Sequence, residues 1–249
     1  MKIVPLGIKN LDIFIPGIRD ESLNLLYGPP GVGKTIFVMQ YLSSGAKKGE
    51  TVLYISLDQP GWMVKKNFED FDIFLDEIHI FDAVPIVSGK AEVKPVREVT
   101  PIAKPLKMKY ASKDKKMFEA DVLSLRATLK NVFDRTKFDR IVVDSITALR
   151  YFYMRGLNPD AGVHSFLHFL DTNSNSAVLV TAESYDNLIA EMPMMDSVFY
   201  LNSNGKSFEF QIRKSTLGYS VEKIPLVLTK NGFSVEEKFY LKFVRRKVK

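Results

Sequence analysis

Apolar residues recur along this chain in two alternating rhythms. Short, mostly apolar runs at 23–27 (LNLLY), 51–57 (TVLYISL), 78–81, 140–143 (RIVV) and 177–181 (AVLVT) have the length and β-branched content of buried parallel strands. Between them lie stretches with helical spacing. These are 36–48, ending near Gly49; 62–75, with Trp62, Val64, Phe68, Phe71 and Leu75; 116–133, with Phe118, Val122, Leu125 and Leu129 on one face; and 163–170. Such alternation predicts an α/β domain with a mostly parallel central sheet flanked by helices. After Asp196 the rhythm changes. Residues 197–201, 207–213, 224–229 and 233–236 are short alternating runs joined by Asn/Gly turns, which predict antiparallel strands at one sheet edge. No repeat and no boundary divides the chain, so a single domain over residues 1–249 is expected.

Composition narrows the chemistry. Hydrophobic residues at 46% and charged residues at 26% exclude wholesale disorder. The absence of cysteine excludes disulfide scaffolds, Cys-ligated zinc, iron–sulfur clusters and thiol catalysis. With three histidines in all, a His-rich metal site is not expected. No run of about 18 apolar residues predicts a membrane span. The first residues lack the basic–apolar–small order of a signal peptide, so a cytoplasmic protein is expected.

The formal net charge of +6 is unevenly placed. Residues 89–117 carry nine Lys/Arg against three acids, with three prolines, and residues 238–249 carry six Lys/Arg and no acid. The first segment reads as an extended or mobile insertion and the second as a basic tail. Each is a candidate contact for nucleic acid, an acidic protein partner or a neighbouring subunit. Tyr110 is the only aromatic in the first segment, which argues against a stacking platform for single strands.

The strongest chemical signal is Gly28-Pro29-Pro30-Gly31-Val32-Gly33-Lys34-Thr35, a G-x-x-x-x-G-K-[ST] pattern between a strand and a helix. Glycines let the backbone curl so that its N–H groups face a phosphate, and the helix N-terminus adds partial positive charge. Lys34 can reach the β- and γ-phosphates, and Thr35 can hold Mg²⁺. A metal partner is expected at the end of a buried strand, and Asp144, after 140–143, supplies it. The strand at 51–57 lies between loop and Asp144 in sequence, an order that suits an ATPase in which a further carboxylate follows the intervening strand. No Asn-Lys-x-Asp guanine signature occurs, so ATP with Mg²⁺ is the expected ligand.

Taken with LGIKNLDIFI, YISLDQP, IVVDSITAL, VLVTAES and FEFQIRKSTLGYS, the motif resembles the KaiC-like branch of the RecA superfamily of P-loop ATPases. The chain is almost equally similar to archaeal RadA paralogues, which are linked to DNA repair. The resemblance covers nearly everything outside 89–117 and the last dozen residues. It implies one RecA-like domain, ATP and Mg²⁺ binding, and homo-oligomeric assembly with nucleotide between subunits. It also implies three further roles: Asp58 as the carboxylate that activates water, Glu183 at a position that senses the γ-phosphate, and Lys214 as a residue that reaches a neighbouring subunit's phosphate.

Two positions depart from the family pattern. Asp58-Gln59-Pro60 stands where Glu-Glu-Pro is usual, so the carboxylate is one methylene shorter and Gln59 takes no proton. Lys214 keeps the Lys of a Lys-x-Arg-Gly run, but Thr216 replaces its finger arginine. An alternative register would offer Arg213, which strand alternation directs to the other face. The expected function is therefore an ATP·Mg²⁺-binding module with weak or absent hydrolysis, acting as a nucleotide-dependent switch or assembly protein. The alternative is a DNA-binding recombinase-paralogue ATPase.

Overall fold

A computed structural model describes residues 2–84, 93–95, 122–154, 158–184, 191–205 and 207–247. Two short strands, β1 (Ile3–Val4) and β2 (Ile18–Arg19), pair with each other ahead of the main sheet. The main elements then follow as β3 (Ser22–Gly28), α1 (Lys34–Ala46), β4 (Val52–Ser56), α2 (Gly61–Asn67), β5 (Ile78–Asp82), β6 (Val93–Pro95), α3 (Val122–Arg135) and β7 (Arg140–Asp144). The second half contains α4 (Ile146–Phe152), α5 (Pro159–Asn173), β8 (Ala177–Glu183), β9 (Ser197–Ser203), β10 (Phe208–Ser215), β11 (Lys223–Thr229), β12 (Gly232–Val235) and α6 (Glu237–Lys247).

One ten-stranded sheet runs in the order β12-β11-β10-β9-β3-β8-β7-β4-β5-β6. From β9 to β5 every pairing is parallel, while β10 to β12 and β6 extend the two edges antiparallel. The predicted late strands are thus present, with one refinement: β9 pairs parallel with β3 before the antiparallel extension begins. The parallel strands are buried on both faces, which is why they read as apolar runs rather than alternations. Two apolar clusters cover the two faces of the sheet. Helix α1 is buried along most of its length, and Arg140 fastens it from below. That fully buried guanidinium pairs with Glu50 and donates to the carbonyls of Pro5 and Tyr41 and to Ser44 Oγ, each at 2.9 Å.

Three expectations change. The helix predicted over 62–75 ends at Asn67. Phe68 and Phe71 still reach the core, through tight turns whose amides bond three residues back. Glu69, Asp70 and Asp72 would crowd the negative end of a longer helix, which opposes its extension. The basic tail is a helix: Phe239 and Phe243 of α6 pack on Phe14, at ring separations of 5.5 and 4.5 Å. Within the basic insertion, 93–95 forms β6 along β5. The rest of 89–117, and Phe118 of the predicted 116–133 helix, lie outside the described residues.

Candidate phosphate and metal site

All the parallel strands end at one edge of the sheet, and register decides which ends meet. Gly28 lies opposite Glu183 across β3 and β8, and Ser56 lies opposite Asp144 across β4 and β7. The sequence therefore delivers the phosphate loop, Glu183, Asp144 and the 58–60 turn to a single crevice at the carboxyl ends of the strands, where ligands bind in open α/β sheets. A cavity of about 340 Å³ opens there, lined by Lys34, Thr35, Asp58, Gln59, Asp144 and Glu183 among others.

The loop between β3 and α1 tolerates no side chain at two of its glycines. A Cβ on Gly28 would lie 2.1 Å from the Leu201 carbonyl oxygen. Gly33 has φ +96 and a Cβ there would strike the Phe233 ring at 2.8 Å. Gly33 also precedes the first residue of α1, so the amides of Lys34, Thr35 and Ile36 have no partner within the helix and face outward. Those amides, with the helix dipole, make an anion cradle. Pro29, Pro30, Gly31 and Val32 complete the turn between them.

Lys34 is only 6% exposed. Its ammonium is held by the carbonyls of Gly28 (3.0 Å) and Pro29 (2.9 Å) and by Glu183 Oε2 (2.8 Å). Glu183 is oriented in turn, its amide donating to Thr147 Oγ1 at 2.9 Å. An internal carboxylate thus sits on the cation that the loop would offer to a phosphate.

Asp144 is equally buried and accepts three hydroxyls. Thr35 Oγ1 donates to Oδ2 at 2.8 Å, Tyr54 to the same oxygen at 2.7 Å, and Thr181 to Oδ1. Thr35 and Asp144, the two expected metal residues, are therefore brought into contact. Both belong to the hard-oxygen class that suits Mg²⁺ beside phosphates. Together with the glycine cradle and Lys34 they fit a magnesium-bound polyphosphate. Tyr54, Thr181 and Thr147 escaped sequence reading. A Tyr inside a fully buried run was the available signal for the first, since a buried phenol needs a partner.

Asp58 lies at the mouth of the cavity and is exposed. Crowding by surrounding protein, then the charges of Asp144 and Glu183, raise its carboxyl to about 7. Contact with solvent screens the charge part of that effect. Gln59 is fixed in the turn, its side chain accepting from Asn67 Nδ2 at 3.1 Å and its carbonyl from Ser56 Oγ.

Lys214 is not brought to this chain's cradle. Its ammonium donates to the carbonyls of Pro193 and Met195. A bulge between Ile212 and Lys214 breaks the alternation that the register argument assumed. Arg213 stacks over Tyr200 and lies 3.8 Å from Glu222. Lys214 and Thr216 are both exposed.

Phosphate loop, strand-end aspartate and strand order together define a P-loop ATPase of the RecA superfamily. The chain belongs to the KaiC ATPase family, whose model matches residues 4–191. It is 33% identical over 152 residues to a UPF0273 protein from Thermotoga maritima, covering 60% of this chain and 57% of that protein. The circadian clock protein KaiC3 of Synechocystis is 29% identical over 107 residues, 35% of this chain and 21% of that one. The chain thus spans about half the length, or less, of the curated relatives it matches. A KaiC-like protein from Pyrococcus horikoshii has the same fold, with a TM-score of 0.71 over 94% of this chain and 99% of that one at 19% identity. Among the described residues no helix is long and apolar enough to cross a membrane.

Proposed function

We propose that this protein binds ATP·Mg²⁺ and hydrolyses it slowly on its own, so that nucleotide state, rather than turnover, is its output. The observation that carries this reading is the contrast between the cradle and the residues assigned to turnover. Lys34 and Asp144 are buried, Thr35 is half-buried, and all three are held in contact with fixed partners. Asp58 and Thr216, which stand where the family has Glu and Arg, are exposed. Phosphoryl transfer asks the protein for positioning and charge, and a misplacement of roughly 1 Å can cost about a hundredfold. A missing finger arginine removes about 10³-fold or more.

When ATP is bound, its phosphates would take the cradle amides and Lys34, displacing Glu183, and Thr35 with Asp144 would hold the metal. The metal would neutralise phosphate charge. Asp58 would accept a proton from water, and Glu183, freed from Lys34, would respond to the γ-phosphate. Lys214 would act only across a homo-oligomer interface, toward a neighbour's phosphate. We read the protein as cytoplasmic and self-associating on the family's pattern. The direct test is a calorimetric titration with ATP and with ADP, with and without Mg²⁺. Magnesium-dependent ATP binding supports the reading, and no binding to the folded protein refutes it.

A DNA-linked ATPase is the second reading. Helix α6 supports it by presenting Lys238, Lys242 and Arg245 to solvent. A polyanion gripped there and by 89–117 would lose affinity steeply with salt. Single-stranded DNA retention that falls as salt rises favours this reading. An acidic protein partner would be sought if DNA is not retained.

A further inference from the structure

The three hydroxyls on Asp144 do not come from the same part of the fold. Thr35 belongs to the phosphate loop, whereas Tyr54 stands on β4, a strand that does not touch the loop's own strand. Tyr54 pairs in register with Val142, two residues before Asp144, so its side chain shares a face with the carboxylate. A diagonal neighbour of this kind is within reach of a long side chain. The phenol sits 2.7 Å from Oδ2, the oxygen that Thr35 also uses at 2.8 Å, while Thr181 occupies Oδ1.

A carboxylate offers about four lone-pair positions, and three are filled here by protein donors. About one is left for a water of a metal's shell, so Asp144 is suited to an indirect hold. Thr35 has a single hydroxyl proton. Spending it on Asp144 turns the Thr35 lone pairs away from the carboxylate, toward the cavity. That orientation lasts only while Asp144 cannot rotate. The Tyr54 side chain is buried, so its hydroxyl has Asp144 as its partner in place of water. A phenylalanine would fill the same space, and the hydroxyl adds nothing to packing.

We propose that Tyr54 is a positioning residue of the metal site: its phenol fixes Asp144, and Asp144 thereby aims the Thr35 hydroxyl oxygen at Mg²⁺. This rests on the nucleotide-site reading above. It assigns β4 a task in the metal site besides carrying the chain toward Asp58.

The test is Tyr54→Phe in the full chain, with ATP affinity measured by calorimetry in EDTA and across a Mg²⁺ series. A hydrogen bond to a charged group corresponds to roughly tenfold or more, so the Mg²⁺ concentration giving half-maximal tightening should rise by about tenfold. ATP affinity in EDTA should change by less than about twofold, on the same scale. A merely structural tyrosine would weaken both affinities together, and that result, or an unmoved Mg²⁺ midpoint, overturns the proposal. If Tyr54→Phe does not fold, Thr181→Val removes the donor from the other oxygen at constant shape. It should raise the Mg²⁺ midpoint, and an unmoved midpoint again overturns the proposal. Asp144→Asn separates the two levels of inference. If it leaves the Mg²⁺ dependence intact, the metal-site reading fails. If it abolishes that dependence while Tyr54→Phe does not shift it, only the positioning role fails.

Discussion

The nucleotide cradle and the residues assigned to turnover are built to different standards. On the cradle side, Lys34 and Asp144 are each 6% exposed and each holds three polar partners. Asp58, which lines the same cavity, faces solvent; Lys214 and Thr216 are exposed outside that cavity, toward the other end of the strands, and the Lys214 ammonium is spent on backbone carbonyls. Groups that bind a ground state gain from burial and fixed geometry. Only interactions stronger in the transition state raise a rate. On the function proposed above, the difference means that holding nucleotide and turning it over would draw on separable sets of residues, the first of them the more firmly held.

The largest expected effect breaks the strong side. Lys34→Ala removes the buried cation and should weaken ATP by tenfold or more in a calorimetric titration, from roughly 1.5–3 kcal/mol for a hydrogen bond to a charged group. It also strands Glu183, so its folding should be checked by thermal melting. The next effect repairs the weak side. Asp58→Glu with Thr216→Arg should raise phosphate release by about tenfold or more in the self-associated protein, where the arginine could reach a neighbour's phosphate, while ATP affinity moves by less than about threefold. An equal gain in affinity would erase the proposed separation.

A pH series should give a smaller, severalfold change. Asp58 accepts a proton only when ionised, and its carboxyl is raised to about 7. Turnover should therefore climb between pH 6 and 8 and level off above. An ordinary carboxylate would give a flat profile over that range. The smallest effect concerns Glu183. Its carboxylate competes with phosphate for Lys34, so Glu183→Gln should tighten ATP by roughly two- to fivefold. Weaker ATP binding would instead make Glu183 a direct support of the nucleotide.

Much of this contrast could be read along the chain, because its parts have local signatures. The cradle is eight consecutive residues between a strand and a helix, and Asp144 ends an apolar run. What could not be read depends on contacts distant in sequence. Tyr54 counted as one more apolar position of β4, and its bond to Asp144 spans 90 residues. The bulge beside Lys214 left no local mark, so strict alternation was assumed. The basic charge of 238–249 masked α6, although Phe239 and Phe243, four apart, carried the signal of one buried helix face. In 62–75 the apolar spacing located the core contacts correctly, but the acids at 69, 70 and 72 end the helix early.

The most direct test of the separation is phosphate release by the purified protein at saturating ATP·Mg²⁺, run beside Asp58→Asn. Turnover below ~1 s⁻¹, the lower end of typical enzymes, together with firm ATP binding is the result predicted here. Release of several phosphates per second, abolished by Asp58→Asn, would show that the short carboxylate is a competent base and that the residues assigned to turnover suffice.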